Sequence, residues 1–227
     1  MQDTSRITAY HVDGSGNFTE MEDAQYIPSE EAVVFTTSHF SYYAVGYKFI
    51  DVHPNAWYYE AVTFIANRGI TKGTGGGKFS PEAKLTRGQF ITLLLRAYEF
   101  SPDVKPADNF ADAGNTYYTG YLAAAKRLDI AKGVGNNRFA PEQAITRQEM
   151  FTLLYNALKV LDKIPAGDTG KNLADFTDGA AVADWAREAV NGLVKAGMVV
   201  GSDNRLDPLG GSTRAQMAQV LYKLLSE

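Results

Sequence analysis

The sequence predicts a mainly α fold: three helix-loop-helix repeats in a pseudo-threefold arrangement around a central three-helix bundle, preceded by a short β-strand segment. Three observations carry that prediction. Thr-Arg-x followed by Gln or Glu occurs three times, as Thr86-Arg87-Gly88-Gln89, Thr146-Arg147-Gln148-Glu149 and Thr213-Arg214-Ala215-Gln216. Each copy follows a proline six positions before its Arg (Pro81, Pro141, Pro208), and the arginines at 87, 147 and 214 stand 60 and 67 positions apart. Downstream of each Arg, apolar residues recur at +3, +6, +7 and +10, the stripe of an amphipathic helix.

The motif itself defines where each of these helices starts. Ser or Thr with Gln or Glu three residues later is the capping-box signature, so Thr86, Thr146 and Thr213 are the expected N-caps. The stripes that follow are Phe90, Leu93, Leu94, Ala97; Met150, Leu153, Leu154, Ala157; and Met217, Val220, Leu221, Leu224. Methionines in such positions are core residues far more often than cofactor ligands. Three equivalent stripes are most simply buried against one another, which gives the central bundle.

Each Arg then stands at the first helical position, where the dipole disfavours a cation by a few tenths of a kcal/mol (on the order of 0.5). Two readings of the repeated placement compete. In one, the Arg packs on a neighbouring repeat and pairs with a carboxylate there. In the other, which is favoured here, the guanidinium and the free N–H groups of the helix start form an anion site suited to a carboxylate.

The first helix of each repeat opens at an aromatic about 30 residues before the Arg: Trp57, Tyr117 and Trp185. The expected spans are Trp57 to Arg68, Tyr117 to Leu128 and about Val182 to Ala196, closed by Gly69, Asp129 and Gly197 as left-handed C′ residues. Before these helices lie Phe49-Ile50-Asp51, Phe110-Ala111-Asp112 and Phe176-Thr177-Asp178, read as an aromatic plug and an Asp ordering the turn that follows. Gly-rich loops run from Gly73 to Pro81, Gly133 to Pro141 and Gly201 to Pro208, with Phe79, Phe139 and Leu206 tucked beneath. Two helices of this size cannot bury their faces alone, so the copies are expected to stack.

Residues 1–47 lie outside the repeat. Strand-forming residues occupy 7–12, 17–21, 32–37 and 42–47, and Asp13-Gly14-Ser15-Gly16 reads as a hairpin turn. Asp13, Ser15 and Asn17 have a calcium-loop spacing, but Phe18 stands at the required glycine and Ala24 at the required Glu. The segment is read as the last strands of an upstream β-domain. Its edges would either pair with another copy, a route to self-association, or fold against the first repeat.

Composition removes several function classes. With 227 residues, 45% of them hydrophobic, the chain can bury a sizeable core. A net charge of −4 argues against general nucleic-acid binding. The absence of cysteine rules out disulfides and thiolate metal sites. No apolar run is long enough to span a bilayer, so no membrane partner is expected. Gly73-Thr74-Gly75-Gly76-Gly77-Lys78 has the composition of a phosphate loop but the wrong spacing, and it follows a helix. His11, His39 and His53 form no metal or triad pattern, and the carboxylates suggest no glycosidase pair. We expect no enzyme, no cofactor and no metal.

Together the motifs resemble S-layer homology domains. The matching residues are Phe49, Asp51, Trp57-Tyr58, Gly69 to Gly73, Phe79, Pro81 and Thr86 to Gln89 in the first copy. The second runs through Phe110, Asp112, Tyr117-Tyr118, Gly133, Phe139, Pro141 and Thr146 to Glu149. The third uses Phe176, Asp178, Trp185, Gly197 to Gly201, Pro208 and Thr213 to Gln216, so the resemblance covers roughly residues 48 to 227. It implies repeats at 48–107, 108–172 and 173–227 with grooves between neighbours. It also implies non-covalent anchoring to the Gram-positive cell wall, through a secondary cell-wall polysaccharide carrying pyruvate ketals on N-acetylmannosamine.

The glycan-binding set so implied is Arg87, Arg147, Arg214, Trp57, Tyr117, Trp185, Lys72, Gly73, Lys132, Gly133, Asp51 and Asp112. The Arg would clamp the ketal carboxylate, loop N–H groups near Gly73 or Gly133 would approach it, the lysines would add charge and an aromatic would stack on the sugar. The third copy departs from the pattern, with a shorter loop, Val200 where the lysines stand, and Gly210-Gly211-Ser212 before its cap. The resemblance also places the protein outside the cell, at the wall or surface layer. A secreted member carries a signal peptide and none begins this chain, so Met1 is read as the start of a piece. The expectation from a different class is a structural self-association module with no glycan affinity, its arginines serving ion pairs between repeats.

Overall fold

The computed structural model describes residues 7–15, 18–164 and 166–226. Among them six α-helices outweigh five short strands: β1 Ile7–Val12, β2 Phe18–Glu20, β3 Gln25–Ile27, β4 Ala32–Val34, β5 Tyr42–Tyr47, α1 Tyr59–Asn67, α2 Arg87–Ala97, α3 Thr119–Arg127, α4 Arg147–Val160, α5 Arg187–Lys195 and α6 Arg214–Leu225. β3 was not anticipated, because a three-residue strand leaves too little alternation to read. Gly16 and Asn17, part of the expected turn and strand, lie outside the described residues.

All three motif helices start at their Arg behind a complete capping box: the Thr side chain accepts from the third N–H, and Gln89, Glu149 or Gln216 accepts from the cap N–H. The first helices start later than their aromatics suggest. α1 and α3 begin two residues after Trp57 and Tyr117, while Trp185 sits in a 3-10 turn ahead of α5. They close as expected, on Gly69, Asp129 and Gly197 at φ 70°, 56° and 76°.

The Asp residues do something other than order the next turn. Both carboxylate oxygens of Asp112 accept backbone N–H groups 27 and 28 residues downstream, from Phe139 and Ala140, each at 2.8 Å. Asp51 holds Phe79 and Ser80 at 2.8 Å, and Asp178 holds Leu206 and Asp207 likewise. The second residue of each pair is left-handed, with φ 58° at Ser80, 57° at Ala140 and 51° at Asp207. A non-glycine there is strained by about 1–2 kcal/mol, and two charge-assisted hydrogen bonds per carboxylate offset it. The strain lets Phe79, Phe139 and Leu206 turn fully inward.

The chain forms two compact units, residues 1–83 with 213–227 and residues 84–212. In the first, α1 packs on α6, and the sheet β2-β1-β5, antiparallel throughout, lies against α1. Tyr10 and Ala9 of β1 are buried, so of the two fates open to the strands they take the second and fold on the first repeat. A β3-β4 hairpin adjoins β1. In the second unit α2 packs on α3 and α4, and α4 on α5. Each first helix thus pairs with the motif helix of a different copy: α3 with α2, α5 with α4, and α1 with α6. The stacking that the helices require happens between copies. Phe90, Leu94, Met150, Leu154, Met217 and Leu221 are buried, each side chain worth roughly 1.5–3 kcal/mol of transfer free energy.

Candidate functional site

The three motif arginines make one repeated contact. Arg87 Nε donates to Phe139 O at 2.8 Å, Arg147 Nε to Leu206 O at 2.8 Å and Arg214 Nε to Phe79 O at 2.7 Å. The acceptor is always the carbonyl of the apolar residue beneath a Gly-rich loop. The Arg87 and Arg214 guanidiniums lie over the rings of Phe139 and Phe79 at 4.5 and 4.6 Å, and that of Arg147 over Phe151 at 5.2 Å. Arg87 and Arg214 are buried and Arg147 partly so.

The N–H groups at the helix starts are not free, which corrects the expected construction of the anion site. Arg87 and Gly88 donate to Gln143 O and Pro141 O; Arg147 and Gln148 to Gly210 O and Pro208 O; Arg214 and Ala215 to Ala83 O and Pro81 O. The third N–H of each helix goes to its own Thr. The cause is the proline-containing segment before each cap, whose carbonyls must find donors and meet a helix start that has donors to spare. What remains for an anion is the guanidinium alone.

At Arg87 even that is shared. Its Nη1 lies 2.6 Å from Glu149 Oε1, an ion pair to a neighbouring copy of the kind the structural reading required. Burial pulls the Arg87 pKa below its ordinary value, and the charges of Glu149 and Asp112 oppose that pull. Arg147 is lowered for the same leading reason, opposed by Asp207 and Asp178. Among the described residues Arg147 makes no ion pair.

A groove of about 910 Å³ in the second unit gathers four of the expected residues: Arg87, Lys132, Gly133 and Trp185. The four come from all three copies. Trp185 is 57% exposed, an aromatic face available for stacking. Lys132 is exposed and 3.5 Å from Asp129. Gly133 is needed for its shape: φ is 79°, and a Cβ would stand 2.3 Å from Arg138 O and 2.8 Å from the Phe110 ring. Glu149, Thr152, Tyr155 and Asn156 of α4 line the same groove and were not anticipated. The only sequence signal for Glu149 was its charge, set against Gln89 and Gln216 at the equivalent positions.

The other expected residues stand apart from this groove. Trp57 and Tyr117 are 60% and 57% exposed, each edge-on to the tyrosine that follows it. Lys72 is exposed, and the Gly73 N–H donates to Thr71 Oγ1, so that N–H is engaged. Asp51 borders a separate 480 Å³ cavity beneath the strand layer, with Tyr10, Glu20, Lys48 and Tyr59. Asp51 and Asp112 have both oxygens on backbone, so geometry gives them the shaping of loops. No group of three or more metal-ligating side chains occurs among the described residues.

Three segments, 48–91, 109–151 and 175–218, match the S-layer homology domain. Over 180 residues the chain is 31% identical to the S-layer protein sap of Bacillus anthracis, covering 79% of this chain and 21% of that one. It is 28% identical over 230 residues to an amylopullulanase of Thermoanaerobacterium thermosulfurigenes, covering 99% and 12% respectively. The exoglucanase XynX of Acetivibrio thermocellus is 28% identical over 181 residues, covering 79% and 16%. The chain therefore spans between 12% and 21% of the length of these relatives, and in the amylopullulanase the similarity extends through the strand segment as well.

Proposed function

Because the chain belongs to the S-layer homology domain family, we propose that it anchors a larger protein to the cell wall by binding an anionic glycan. Relatives named as an S-layer protein, an amylopullulanase and an exoglucanase share this portion, which is a small part of each, as expected of an attachment module. No catalytic role is proposed for it, and its place is outside the cell, at the wall of a Gram-positive bacterium. No described helix is long and apolar enough to cross a membrane. The glycan is a secondary cell-wall polysaccharide bearing pyruvate ketals on N-acetylmannosamine. The pseudo-threefold arrangement of repeats 48–107, 108–172 and 173–227 is part of the proposal, supported by the threefold recurrence of the Arg-to-carbonyl contact.

The observation that carries this reading is the groove holding Arg87, Lys132, Gly133 and Trp185. Its volume suits a small oligosaccharide, and it carries a half-exposed indole for stacking. Arg87, Lys132 and Lys159 line it, Arg87 and Lys132 each beside a carboxylate of the chain that a ligand carboxylate would compete with. Calorimetric titration with purified polysaccharide, before and after mild acid removal of the ketal, tests it. Binding that disappears with the ketal is the expected outcome; equal binding to both forms discards the carboxylate, and no binding to either discards the glycan.

A second reading, self-association within a surface layer, draws on one observation. β5 forms an edge of its sheet, and Tyr42, Val45 and nearby Phe40 are 81%, 62% and 107% exposed. Mass that rises with concentration in sedimentation would favour it.

A further inference from the structure

The geometry points to Glu149 as the specificity-determining residue of the Arg87 groove, an internal carboxylate that holds the place a ligand carboxylate would take. This rests on the reading of the groove as a site for an anionic glycan. Glu149 divides its two oxygens between separate tasks. Oε2 accepts from the Thr146 N–H at 2.8 Å and from its hydroxyl at 2.7 Å, completing the cap of α4. Oε1 is left for Arg87 Nη1 at 2.6 Å. The pair joins an Arg87 side chain that is 5% exposed to a Glu149 side chain that is 21% exposed, both lining the groove, so the carboxylate partner is the more open of the two to solvent.

The other two caps show what the alternative would be. Gln89 and Gln216 also accept from their cap N–H, at 3.2 and 3.0 Å, through Oε1. A glutamine has one oxygen, so with that oxygen turned to the cap the group in the position of Glu149 Oε1 is the amide NH2, a donor that cannot pair with a guanidinium. Gln at 149 would therefore keep the capping box and leave Nη1 of a buried cation without its hydrogen-bonded carboxylate, Asp112 remaining as the nearby charge. An incoming carboxylate would restore the lost bond. Arg87 cannot swing out to meet a ligand elsewhere, because its Nε is held by Phe139 O and its plane lies on the Phe139 ring. Glu149 thus sets how much a ligand must offer: a single carboxylate has to displace one already in place, and the groove rejects weak anions.

Glu149→Gln in the full chain tests this with two probes. The first is acetate, followed by the melting temperature. The variant melts below the unsubstituted chain, and acetate at tens of millimolar recovers the loss where chloride at equal ionic strength does not; the unsubstituted chain gains nothing. Absence of an acetate-specific gain overturns the assignment. The second probe is a synthetic disaccharide bearing a pyruvate ketal, with its ketal-free form as control. The variant binds the ketal form on the order of tenfold tighter, the scale of one hydrogen bond to a charged group, and the control unchanged. Equal or weaker binding of the ketal form by the variant overturns the assignment while leaving glycan anchoring intact. Acetate rescue with no affinity of either protein for the disaccharide upholds Glu149's role and removes the glycan reading instead.

Discussion

Asp112 shows how much of this molecule depends on single side chains whose duty is local. Its carboxylate takes the N–H groups of Phe139 and Ala140, and by doing so pins Phe139 O where Arg87 Nε reaches it. Burial raises the Asp112 pKa, but the hydrogen bonds from Phe139, Ala140 and Arg138 outweigh it and the net shift is downward; Asp178 behaves alike through Leu206 and Asp207. A lowered folded pKa means the carboxylates stabilise the fold fully above the ordinary aspartate value of about 3.9, and that contribution is lost as pH falls through the lowered one. Asp112→Asn removes one acceptor of the two and is expected to cost about 1–2 kcal/mol at pH 7. In urea titrations the gap between variant and unsubstituted chain should close below about pH 4; a gap independent of pH would show that the charge is not what matters. The aspartates were legible as members of a repeated motif. Their acceptors were not, since nothing in Phe-x-Asp says that the partner lies 27 residues on rather than in the next turn.

At the scale of elements, the helices that begin with a signal were legible and those that do not were approximate. Thr86, Thr146 and Thr213 start their helices to the residue because a capping box is a local device read within four positions. No such box precedes α1, α3 or α5, whose N-caps make no side-chain bond, and their starts slipped by two to five residues. The Gly-rich loops reward a comparison of two glycines that share a left-handed φ. Gly69 at 70° closes α1 with open space where a Cβ would go, whereas Gly133 at 79° faces Arg138 O and the Phe110 ring. Gly69→Ala should cost about 1 kcal/mol, the conformational term alone. Gly133→Ala should cost clearly more, about 3 kcal/mol, because a backbone carbonyl and a packed ring must also shift. Denaturant midpoints compare the two directly. Equal losses would mean that the loop relaxes at no expense and that its shape is not fixed by Phe110.

Across the whole chain, the sequence period suggested that a repeat is the natural unit, and the packing divides the chain differently. α1 buries its face on α6 and the strand layer, while α3 and α5 bury theirs on α2 and α4. Nine of the twelve stripe residues are buried, Ala97, Val220 and Leu224 being partly exposed, but a period cannot say which copy supplies the opposing surface, because every copy offers the same one. The N-terminal strands complete one of the two units: Tyr10, fully buried, comes from β1, and Gly46 of β5 leaves room for Asn67 of α1 where a Cβ would fall 1.9 Å from Oδ1. Were the strands only the tail of a preceding domain, a chain starting at residue 48 would keep all of its helical protection. The packing predicts the opposite. Hydrogen exchange in that shortened chain should accelerate across Tyr59–Asn67, whose cover has gone, by an amount set by the lost burial of Tyr10 and its neighbours, roughly 3 kcal/mol or more and so over a hundredfold in opening. Arg147–Val160, packed on α2 and α5 in the other unit, should remain as protected as before. Uniform protection in both helices would return residues 1–47 to the status of an appendage; acceleration confined to α1 would make them a working part of the first repeat.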